Sequence, residues 1–474
     1  MNEISVDVGA AFSAARAAQP DWAARSPSVR AVPFLRLRDL LLDHRADILD
    51  VVQGETGKAR LHASEEFLDT VASIGYYARN APRLLRPRRR PGALPVLTQT
   101  WEYPRPRGVV ATITPWNYPF ALAADVIPAL LAGNAVVHKP DSKTARSSLL
   151  LRDYALQAGL DPQLWQVVTG EPAEVGDALI DGADYLAFTG STRAGTEIAK
   201  RCAERGIGCN LELGGKNAML VLADADLEHT VTAALRACFS NAGQLCIGIE
   251  RVYVDRLVYD EFLRRFATAT KMLRLGNDLD YTADLGSLIS ADQLDRVAGM
   301  VDRAVADGAR VITGGRARPD LGAAFYEPTI LTDTARDAEI NRTEIFGPVV
   351  TVTPVDDDAE AVRLANDSPY GLNAAVFGRD RRRARRVALR LQAGMVNINE
   401  GYAAGYASGS PVGGWKRSGT GRRHGEAGLM TYTQSQTVAS QYLLGFDPPT
   451  GVTGEQYGRL LAASLRAMYR LRIR

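Results

Sequence analysis

The sequence predicts an α/β protein with two successive parallel sheets, each covered by helices. Short β-branched segments alternate with helical segments of crossover length, and no repeat interrupts them. The first series of candidate strands is GVVATITP, NAVVHKP, LWQVVTG, DYLAFTG and CNLELGG, and the second is RVYVD, ARVITGG, FYEPTIL, VVTVTPV, AAVFG and AGMVNIN. This rhythm is typical of a doubly wound, Rossmann-like sheet. The change from one series to the next predicts a domain junction near residue 215.

The regions that flank these sheets predict helices and an exposed hairpin. Apolar residues at helical spacing predict helices over residues 6–24, 30–53 and 60–80, and the Arg- and Pro-rich segment 84–94 predicts an irregular connection. Alternation in VLTQTWEY (96–103) predicts one arm of a hairpin. Residues 455–474 carry five arginines among leucines. For this segment we prefer a helix docked on the protein or on a neighbouring subunit; an amphipathic helix on a membrane surface is the alternative.

Composition excludes several classes of protein. With 474 residues the chain is long enough for two or three domains, and its net charge of +2 does not predict nucleic-acid binding. Four cysteines and five histidines are scattered, which predicts neither a disulfide framework nor a metal site. The N-terminus lacks the pattern of a secretory signal, and the most apolar stretch, 118–137, contains Asp125, Pro128 and Gly133. We therefore expect a cytoplasmic protein.

Cys246 is the candidate nucleophile. A single cysteine is more often an inert core residue than a catalytic one. Here the preceding NAGQ predicts a tight polar turn, and Leu245 and Ile247 could line an apolar pocket. A thiolate on such a turn suits nucleophilic catalysis.

Glu212 and Asn117 are candidates for the groups that would assist it. Glu212 ends an apolar strand and is followed by two glycines, which suits a general base that activates water; a strand-end ion pair with Lys216 is an equal alternative. Asn117, in TPWNYP, follows a hydrophobic strand and suits an oxyanion donor. Taken alone, a turn-forming asparagine that bonds its own backbone is the better interpretation of Asn117.

Two segments are candidates for binding a dinucleotide. Lys139 ends the strand NAVVHKP, where a doubly wound sheet binds its ligands. In FTGSTRAGTEIAK a strand, a Gly-Ser turn and a helix start follow one another, with Ser191 or Thr192 able to cap. Exposed amides at such a helix start favour a phosphate. The segment is not GxGxxG, and Arg193 beside it could equally be a solvated helix residue.

Together these segments resemble the aldehyde dehydrogenase superfamily. PWNYP, the HKP strand end, FTGS, ELGGK, GQLC, EIFGP and PYGL occur in the family's order and at its spacing, over about residues 8–440. The resemblance implies a cofactor-binding domain (1–92 and 108–214), a catalytic domain (215–425) and a small β oligomerisation arm (93–107 and 426–442, with a strand around 431–439). A C-terminal tail with a basic amphipathic helix (443–474) would follow. Homodimers or homotetramers are expected.

The resemblance also implies a mechanism and the residues that carry it. Cys246 attacks the aldehyde, the Asn117 amide and the Cys246 backbone N–H hold the oxyanion, and Glu212 activates the water that hydrolyses the thioester. The implied cofactor contacts are Glu344 at the nicotinamide ribose, Phe346 at that end, Trp116 and Lys139 at the adenosine half, Gly190 and Ser191 at the pyrophosphate, and Thr114, Pro115, Ser142 and Leu213 beside them. The implied substrate pocket comprises Tyr118, Leu122, Leu245 and Ile247, and no metal is required.

The choice of cofactor depends on Ser142. Many NAD-preferring relatives have a glutamate three residues after the strand-end lysine, where it bonds the ribose hydroxyls. Here KPDS places Ser142 at that position, with Lys143 after it. A hydroxyl and an ammonium group favour a 2′-phosphate, so NADP is expected, with NAD as an alternative.

The aldehyde is not named by the motifs. KPDS, ACFSNAGQLCI, IERVYV, LGSLIS, FYEPTIL, NEGYA, GRRHG and YTQSQT are similar to an actinobacterial branch of succinate-semialdehyde dehydrogenases. The better-studied enzymes with that activity hold the substrate carboxylate with two arginines, but the matching positions here are Ser240 and either Ala124 or Asp125. Unless another arginine lines the pocket, succinate semialdehyde should have no large advantage over a neutral aliphatic or aromatic aldehyde.

Two further alternatives concern the chemistry itself. A CoA-acylating relative would typically lack the hydrolytic glutamate, whereas Glu212 is present. A catalytically silent homologue would have no need to retain Cys246, Glu212 and Asn117 together. We therefore prefer an aldehyde dehydrogenase that releases the free acid to both of these alternatives.

Overall fold

A computed structural model describes residues 7–93, 98–442 and 445–472. Predictions that concern residues 1–6, 94–97, 443–444 and 473–474 lie outside the described residues. The described α-helices are α1 (Val8–Ala24), α2 (Pro27–Asp43), α3 (Arg45–Thr56), α4 (Arg60–Leu84), α5 (Pro119–Ala123), α6 (Val126–Leu131), α7 (Ala145–Gln157), α8 (Pro172–Gly182), α9 (Thr192–Glu204), α10 (Leu227–Phe239), α11 (Tyr259–Lys271), α12 (Ala291–Ala306), α13 (Glu339–Arg342), α14 (Asp358–Asn366), α15 (Arg381–Ala388), α16 (Gly425–Met430) and α17 (Gly454–Arg470).

The described strands form three main sheets and one short two-stranded pair. They are β1 (Arg88–Arg90), β2 (Thr98–Pro106), β3 (Val109–Ile113), β4 (Ala135–Lys139), β5 (Trp165–Val167), β6 (Tyr185–Thr189), β7 (Gly208–Glu212), β8 (Asn217–Val221), β9 (Ile249–Asp255), β10 (Arg310–Thr313), β11 (Thr329–Thr332), β12 (Val349–Val355), β13 (Tyr370–Gly371), β14 (Asn373–Phe377), β15 (Met395–Ile398), β16 (Trp415–Lys416), β17 (Gly419–Thr420) and β18 (Thr433–Gln441).

The first large sheet brings two of the candidate residues to one edge. Its strand order is β17-β7-β6-β3-β4-β5, parallel except for β17. Lys139 pairs with Ile113 at the end of β4, and Glu212 pairs with Thr189 at the end of β7. Because the carboxyl ends of parallel strands share an edge, both side chains lie where such sheets bind ligands.

The second large sheet contains a strand that the sequence reading missed. Its order is β10-β11-β12-β9-β8-β14-β15, parallel except for β10. The missed strand β8 pairs with both β9 and β14 near the middle of the sheet. Its five residues, NAMLV, follow ELGGK directly, so they read as the tail of the preceding strand. The α/β class with a doubly wound first sheet is confirmed.

The third sheet corrects the prediction for residues 84–94. Strand β2 pairs with β18 over nine residues, and on its other side with β1, which lies inside the segment predicted to be irregular. All three residues of β1 are exposed arginines. A strand that buries no face shows no alternation of apolar and polar residues, so its sequence carries no strand signal.

The terminal helices differ from their predicted forms in three ways. The helix predicted over 30–53 is two helices, α2 and α3, that meet at His44 (φ −105°, ψ 22°). Helix α4 continues to Leu84 instead of ending near residue 80. Helix α17 is not docked along its length on the described chain: Leu460 is 56% exposed and Tyr469 is 74% exposed, while Tyr457 is buried and donates to the Gly445 carbonyl at 2.6 Å. None of the described helices has both the length and the apolar character needed to cross a membrane.

Candidate active site

Two cavities meet at Cys246, between the carboxyl edge of the first large sheet and the amino edge of the second, since Cys246 precedes β9. The first has a volume of about 270 Å³ and the second of about 60 Å³. Five residues line both: Asn117, Thr189, Glu212, Leu213 and Cys246. The structure therefore brings together the three candidate catalytic residues, which are far apart in the chain.

The loop that carries Cys246 has an unusual backbone. Asn241 and Ala242 both have φ of 52°, a left-handed backbone conformation that residues other than glycine rarely adopt. Gly243 follows with φ of 71°, and a Cβ there would lie 2.0 Å from the carbonyl oxygen of Gly347. Only glycine fits at this position, so the NAG sequence turns the chain sharply between α10 and Cys246.

Two asparagines fix the loop after this turn. Asn217 donates to the Cys246 carbonyl at 2.8 Å, and Asn373 donates to the Ile247 carbonyl at 2.7 Å. Burial raises the pKa of the Cys246 thiol to about 12, and the positive charge of Arg423 opposes that rise. The sulfur is thus held at the cavity junction as a thiol.

Asn117 is held by contacts that are distant in sequence. Its Nδ2 donates to the Gln244 carbonyl at 3.0 Å, and its own carbonyl accepts from Lys58 Nζ at 2.8 Å and from Asn241 Nδ2 at 3.1 Å. Lys58 also pairs with Glu66 at 2.5 Å in the interior. The alternative of an asparagine that bonds its own backbone is wrong, because the amide reaches across to the Cys246 loop.

Glu212 is buried without the predicted alternative partner. Lys216 pairs with Glu250 at 2.6 Å, so the strand-end ion pair between Lys216 and Glu212 is not formed. Oε1 of Glu212 has no hydrogen-bond partner within residues 7–93, 98–442 and 445–472. Burial raises the pKa of Glu212 to about 8, with Arg423 opposing the rise. Such a carboxyl can exchange protons near neutral pH.

Most of the predicted cofactor contacts line the first cavity. They are Pro115, Trp116, Gly190, Ser191, Leu213, Glu344 and Phe346. Ser191 caps α9 by accepting from the Ala194 N–H at 3.3 Å. Glu344 accepts from the Gly215 N–H at 2.8 Å, and burial raises its pKa to about 7.

The other predicted cofactor residues lie outside this cavity. Thr114 hydrogen-bonds His138 at 2.8 Å, Lys139 Nζ donates to the Pro140 carbonyl at 3.3 Å, and Ser142 is exposed just beyond β4. Trp116 packs edge-on against Phe346, with ring centroids 5.4 Å apart. Geometry therefore groups Trp116 with the Cys246 end, not with Lys139 as the resemblance implied. Cys246 and Ser191 line the same cavity, whereas Lys139 does not.

The second cavity contains the predicted substrate pocket. Tyr118, Leu122, Leu245 and Ile247 all line it. Several lining residues were not predicted from the sequence. In the second cavity they are Asp69, Ala121, Thr189, Leu372, Gly405, Tyr406, Val412 and Arg423. In the first cavity they are Thr189, Gly214, Gln293 and Arg296. For Arg423 a signal existed, because GRRHG was one of the segments on which the resemblance rested.

Comparison with known proteins decides the family. The model of the aldehyde dehydrogenase family matches residues 3–438. The chain belongs to the aldehyde dehydrogenase family. It is accordingly an oxidoreductase that acts on aldehydes.

Relatives of this aldehyde dehydrogenase include proteins whose names state a substrate. A Mycolicibacterium smegmatis protein, provisionally named succinate-semialdehyde dehydrogenase (NADP(+)), is 50% identical over 467 residues, which cover 98% of this chain and 90% of the relative. A provisionally named succinate-semialdehyde dehydrogenase (NADP(+)) 2 of Mycobacterium tuberculosis is 47% identical over 469 residues, with the same coverage of 98% and 90%.

Solved structures share the fold of this aldehyde dehydrogenase. An Escherichia coli enzyme described as NADP-dependent has 34% identity and a TM-score of 0.88, covering 92% of this chain and 90% of that one. A Staphylococcus aureus betaine aldehyde dehydrogenase in complex with NAD+ has 33% identity and a TM-score of 0.88, covering 92% and 87%. Within the described residues no group of three or more metal-ligating side chains occurs.

Proposed function

We propose that this enzyme oxidises an aldehyde to its carboxylic acid through a thioester on Cys246, with NADP as the hydride acceptor. The observation that carries the proposal is the position of Cys246, which lies where the two cavities meet and shares both of them with Asn117 and Glu212. One cavity suits the reactive end of a dinucleotide and the other a small aldehyde. A thiol at their junction can contact the carbon from which hydride leaves.

Each proposed step belongs to a residue whose position supports it. The Cys246 thiol gives its proton to solvent water, its sulfur bonds to the aldehyde carbon as the C=O π bond breaks, and the resulting oxyanion accepts from the Asn117 amide and the Cys246 backbone N–H. A bound nicotinamide would supply the hydride acceptor for that carbon beside Glu344 and Phe346. Glu212 lines both cavities and has a buried oxygen without a hydrogen-bond partner among the described residues. It then takes a proton from the water that attacks the thioester, and as the C–S bond breaks it returns that proton to the Cys246 sulfur and the acid leaves.

We expect Asn117→Ala to lower kcat by about 100–1,000-fold, the usual loss when one oxyanion donor is removed. The variant loses the hydrogen bond from Asn117 Nδ2 to the Gln244 carbonyl, but Asn241 Nδ2 donates to the same carbonyl at 3.1 Å, and the Asn117 carbonyl still accepts from Lys58, so the Cys246 loop should keep its position. Steady-state reduction of NADP measures the loss. Asn399→Ala, which removes an amide from outside both cavities, is the matched control; an Asn117→Ala enzyme as active as this control would contradict the oxyanion role.

The preference for NADP is proposed from the end of β4. Ser142 is exposed there and places a hydroxyl where a carboxylate would repel a 2′-phosphate, with Lys143 exposed beside it. The NADP(+) in the names of the mycobacterial relatives supports this choice. NAD stays an alternative, since the betaine aldehyde dehydrogenase structure holds NAD+.

Ser142→Glu should shift the preference from NADP towards NAD. The added carboxylate repels the 2′-phosphate and can accept from ribose hydroxyls, so the ratio of kcat/KM for NADP to that for NAD should fall about five- to 150-fold. Ser142→Gln, which matches the size of glutamate without its charge, is the control. No shift in either variant would show that residue 142 does not contact the 2′ position. An equal shift in both variants would show that the charge of residue 142 does not set the preference.

The substrate class is proposed from the relatives and tested by a panel. The names of the mycobacterial relatives support succinate semialdehyde. The apolar side chains of the second cavity, Leu122, Leu245, Ile247 and Leu372 among them, favour a neutral aliphatic or aromatic aldehyde as the second candidate. Absorbance of the reduced cofactor with succinate semialdehyde, butanal and benzaldehyde, each with NADP and NAD, separates these candidates. Absence of turnover with every aldehyde would contradict the proposed function.

We also propose the three-part organisation and self-association. The first large sheet with the N-terminal helices would bind cofactor, the second would carry catalysis, and β1-β2-β18 would be the oligomerisation arm of a homodimer or homotetramer. In support, β18 lies at the edge of its sheet among the described residues, and eight of its nine residues are exposed, as suits a strand that meets a second copy. A cytoplasmic location is proposed with it.

A further inference from the structure

The second cavity contains a guanidinium group that the sequence motifs did not predict to be there. Arg423 lines this cavity, and among the lining residues it is the sole lysine or arginine. Its Nη2 donates to Asp125 Oδ1 at 2.8 Å, while its Nε is buried and without a partner in the part of the chain that the structure describes. A guanidinium has five N–H donors, so Asp125 leaves donors free for a ligand.

Other cations near the cavity are already engaged. Arg236, one helical turn before Ser240, donates through Nε to the Tyr402 hydroxyl at 2.9 Å and pairs with Glu65 at 3.1 Å. Lys58 is bound to Glu66 and to the Asn117 carbonyl. Neither lines the second cavity. Of the described residues that line the cavity, a negatively charged group inside it would therefore meet Arg423 as the one lysine or arginine.

The position of Arg423 relative to the reacting groups is also suitable. Arg423, Cys246 and Glu212 line the same cavity of about 60 Å³. A short aldehyde bound to Cys246 in this cavity would share it with the guanidinium.

The carboxyl groups in the cavity do not cancel this charge. Besides Arg423, the ionisable side chains lining the cavity include Asp69 and Glu212. Burial raises the pKa of Asp69 to about 7 and that of Glu212 to about 8, so near neutral pH both carry less negative charge than ordinary carboxylates. Arg423, paired with Asp125 alone, remains able to attract an anion.

We propose that Arg423 binds the distal carboxylate of a short semialdehyde substrate, with Asp125 holding the guanidinium in position. The inference rests on the proposed function and names the substrate class of the same site: an aldehyde with a carboxylate at its other end, and hence a dicarboxylate product. This proposal replaces the expectation that a neutral aldehyde is oxidised as well as a semialdehyde. The family's usual arginine positions are Ser240 and Ala124 or Asp125 here, and in the proposal Arg423 takes over their role while Asp125 pairs with it.

The test compares succinate semialdehyde with butanal, which has the same number of carbons and no carboxylate. In wild type we expect a kcat/KM ratio that favours the semialdehyde by about tenfold or more. Arg423→Gln combined with Asp125→Asn removes both charges of the buried pair without leaving one unpaired. We expect this double variant to lose most of that preference, a fall of about tenfold or more, as expected when hydrogen bonds to a charged group are removed. Arg236→Gln, outside the cavity, is the matched control and should keep the wild-type ratio.

A second variant has the opposite expected sign. Asp125→Asn alone removes the anion that competes for Arg423, so KM for the semialdehyde should fall while KM for butanal does not follow it. Should the double variant fail to fold, this variant and Arg423→Lys, which keeps the charge but loses the planar donors, test the same claim. Binding of succinate to the Cys246→Ser protein, measured by calorimetry, gives a readout that needs no turnover and should weaken in each variant that weakens the ratio.

The outcomes separate this inference from the proposed function. If the double variant lowers both aldehydes equally, or Asp125→Asn leaves the ratio as in wild type, Arg423 does not recognise a carboxylate and the inference is overturned. If wild type oxidises butanal as well as the semialdehyde, the inference is overturned while the proposed function stands. If wild type does not reduce NADP with any of the aldehydes tested, the proposed function itself is contradicted.

Discussion

Replacement of Cys246 by serine is expected to lower aldehyde oxidation by at least about a thousandfold, because a hydroxyl at this site is a far weaker nucleophile than sulfur. Binding of NADP should stay close to wild type, since serine preserves the volume of the side chain and the loop is held through the carbonyls of Cys246 and Ile247. Steady-state kinetics and a fluorescence titration with NADPH measure the two effects separately.

The other cysteines provide the controls for this prediction. Cys202 and Cys238 are buried, and Cys209 is partly buried, but none of them lines either cavity. Serine at each of these positions should cost some stability and little activity. A Cys246→Ser enzyme that keeps more than about a tenth of the wild-type kcat would show that covalent catalysis does not proceed through this residue.

Glu212→Gln is expected to separate the two halves of the reaction. The variant should still release about one equivalent of NADPH per active site in a burst, since the amide does not prevent hydride transfer. Steady-state kcat should then fall by about 100–10,000-fold, because no base is left to activate the hydrolytic water. Rapid-mixing absorbance measures the burst and the following steady state in one experiment.

The pH dependence of Glu212 adds a second test of the same role. Burial raises the pKa of this carboxyl to about 8, so below that pH it is protonated and cannot accept a proton. Where hydrolysis limits turnover, kcat of wild type should therefore rise as pH increases through about 8, and Glu212→Gln should lack that rise. Glu197→Gln, at an exposed site on α9, should behave as wild type. Loss of the burst in Glu212→Gln would assign the carboxyl to an earlier step.

The catalytic residues could be predicted from the sequence because each sits in a local pattern with its own chemistry. Cys246 follows a tight turn, Glu212 ends a strand before two glycines, and Asn117 follows a strand. Asn117 and Glu212 meet because parallel strands present their carboxyl ends at one edge, whereas Cys246 precedes β9 of the second sheet and reaches them only through the packing of the two sheets. The doubly wound first sheet was predictable for the same reason, since its strands are short β-branched runs separated by crossover helices.

Partners that meet only in three dimensions could not be predicted. The sequence left Lys216 and Glu212 as an equally good ion pair, but the fold places Glu250 beside Lys216 instead. Arg423 and Asp125 are 298 residues apart, and nothing local marks either as a partner of the other. Strand β8 was missed because it follows ELGGK directly, and the break at His44 was missed because apolar residues at helical spacing lie on both sides of it. Contacts between segments that are distant in sequence leave no local pattern from which they could be predicted.

The most direct test of the thioester is intact-mass and peptide mass spectrometry of Glu212→Gln after incubation with NADP and succinate semialdehyde. Hydrolysis is blocked in this variant, so the acyl group should accumulate on the protein as NADPH is formed. We expect one acyl adduct per chain, located on the peptide that contains Cys246 and absent from Glu212→Gln/Cys246→Ser. NADPH formation without an adduct, or an adduct on Cys202, Cys209 or Cys238, would contradict the proposed mechanism.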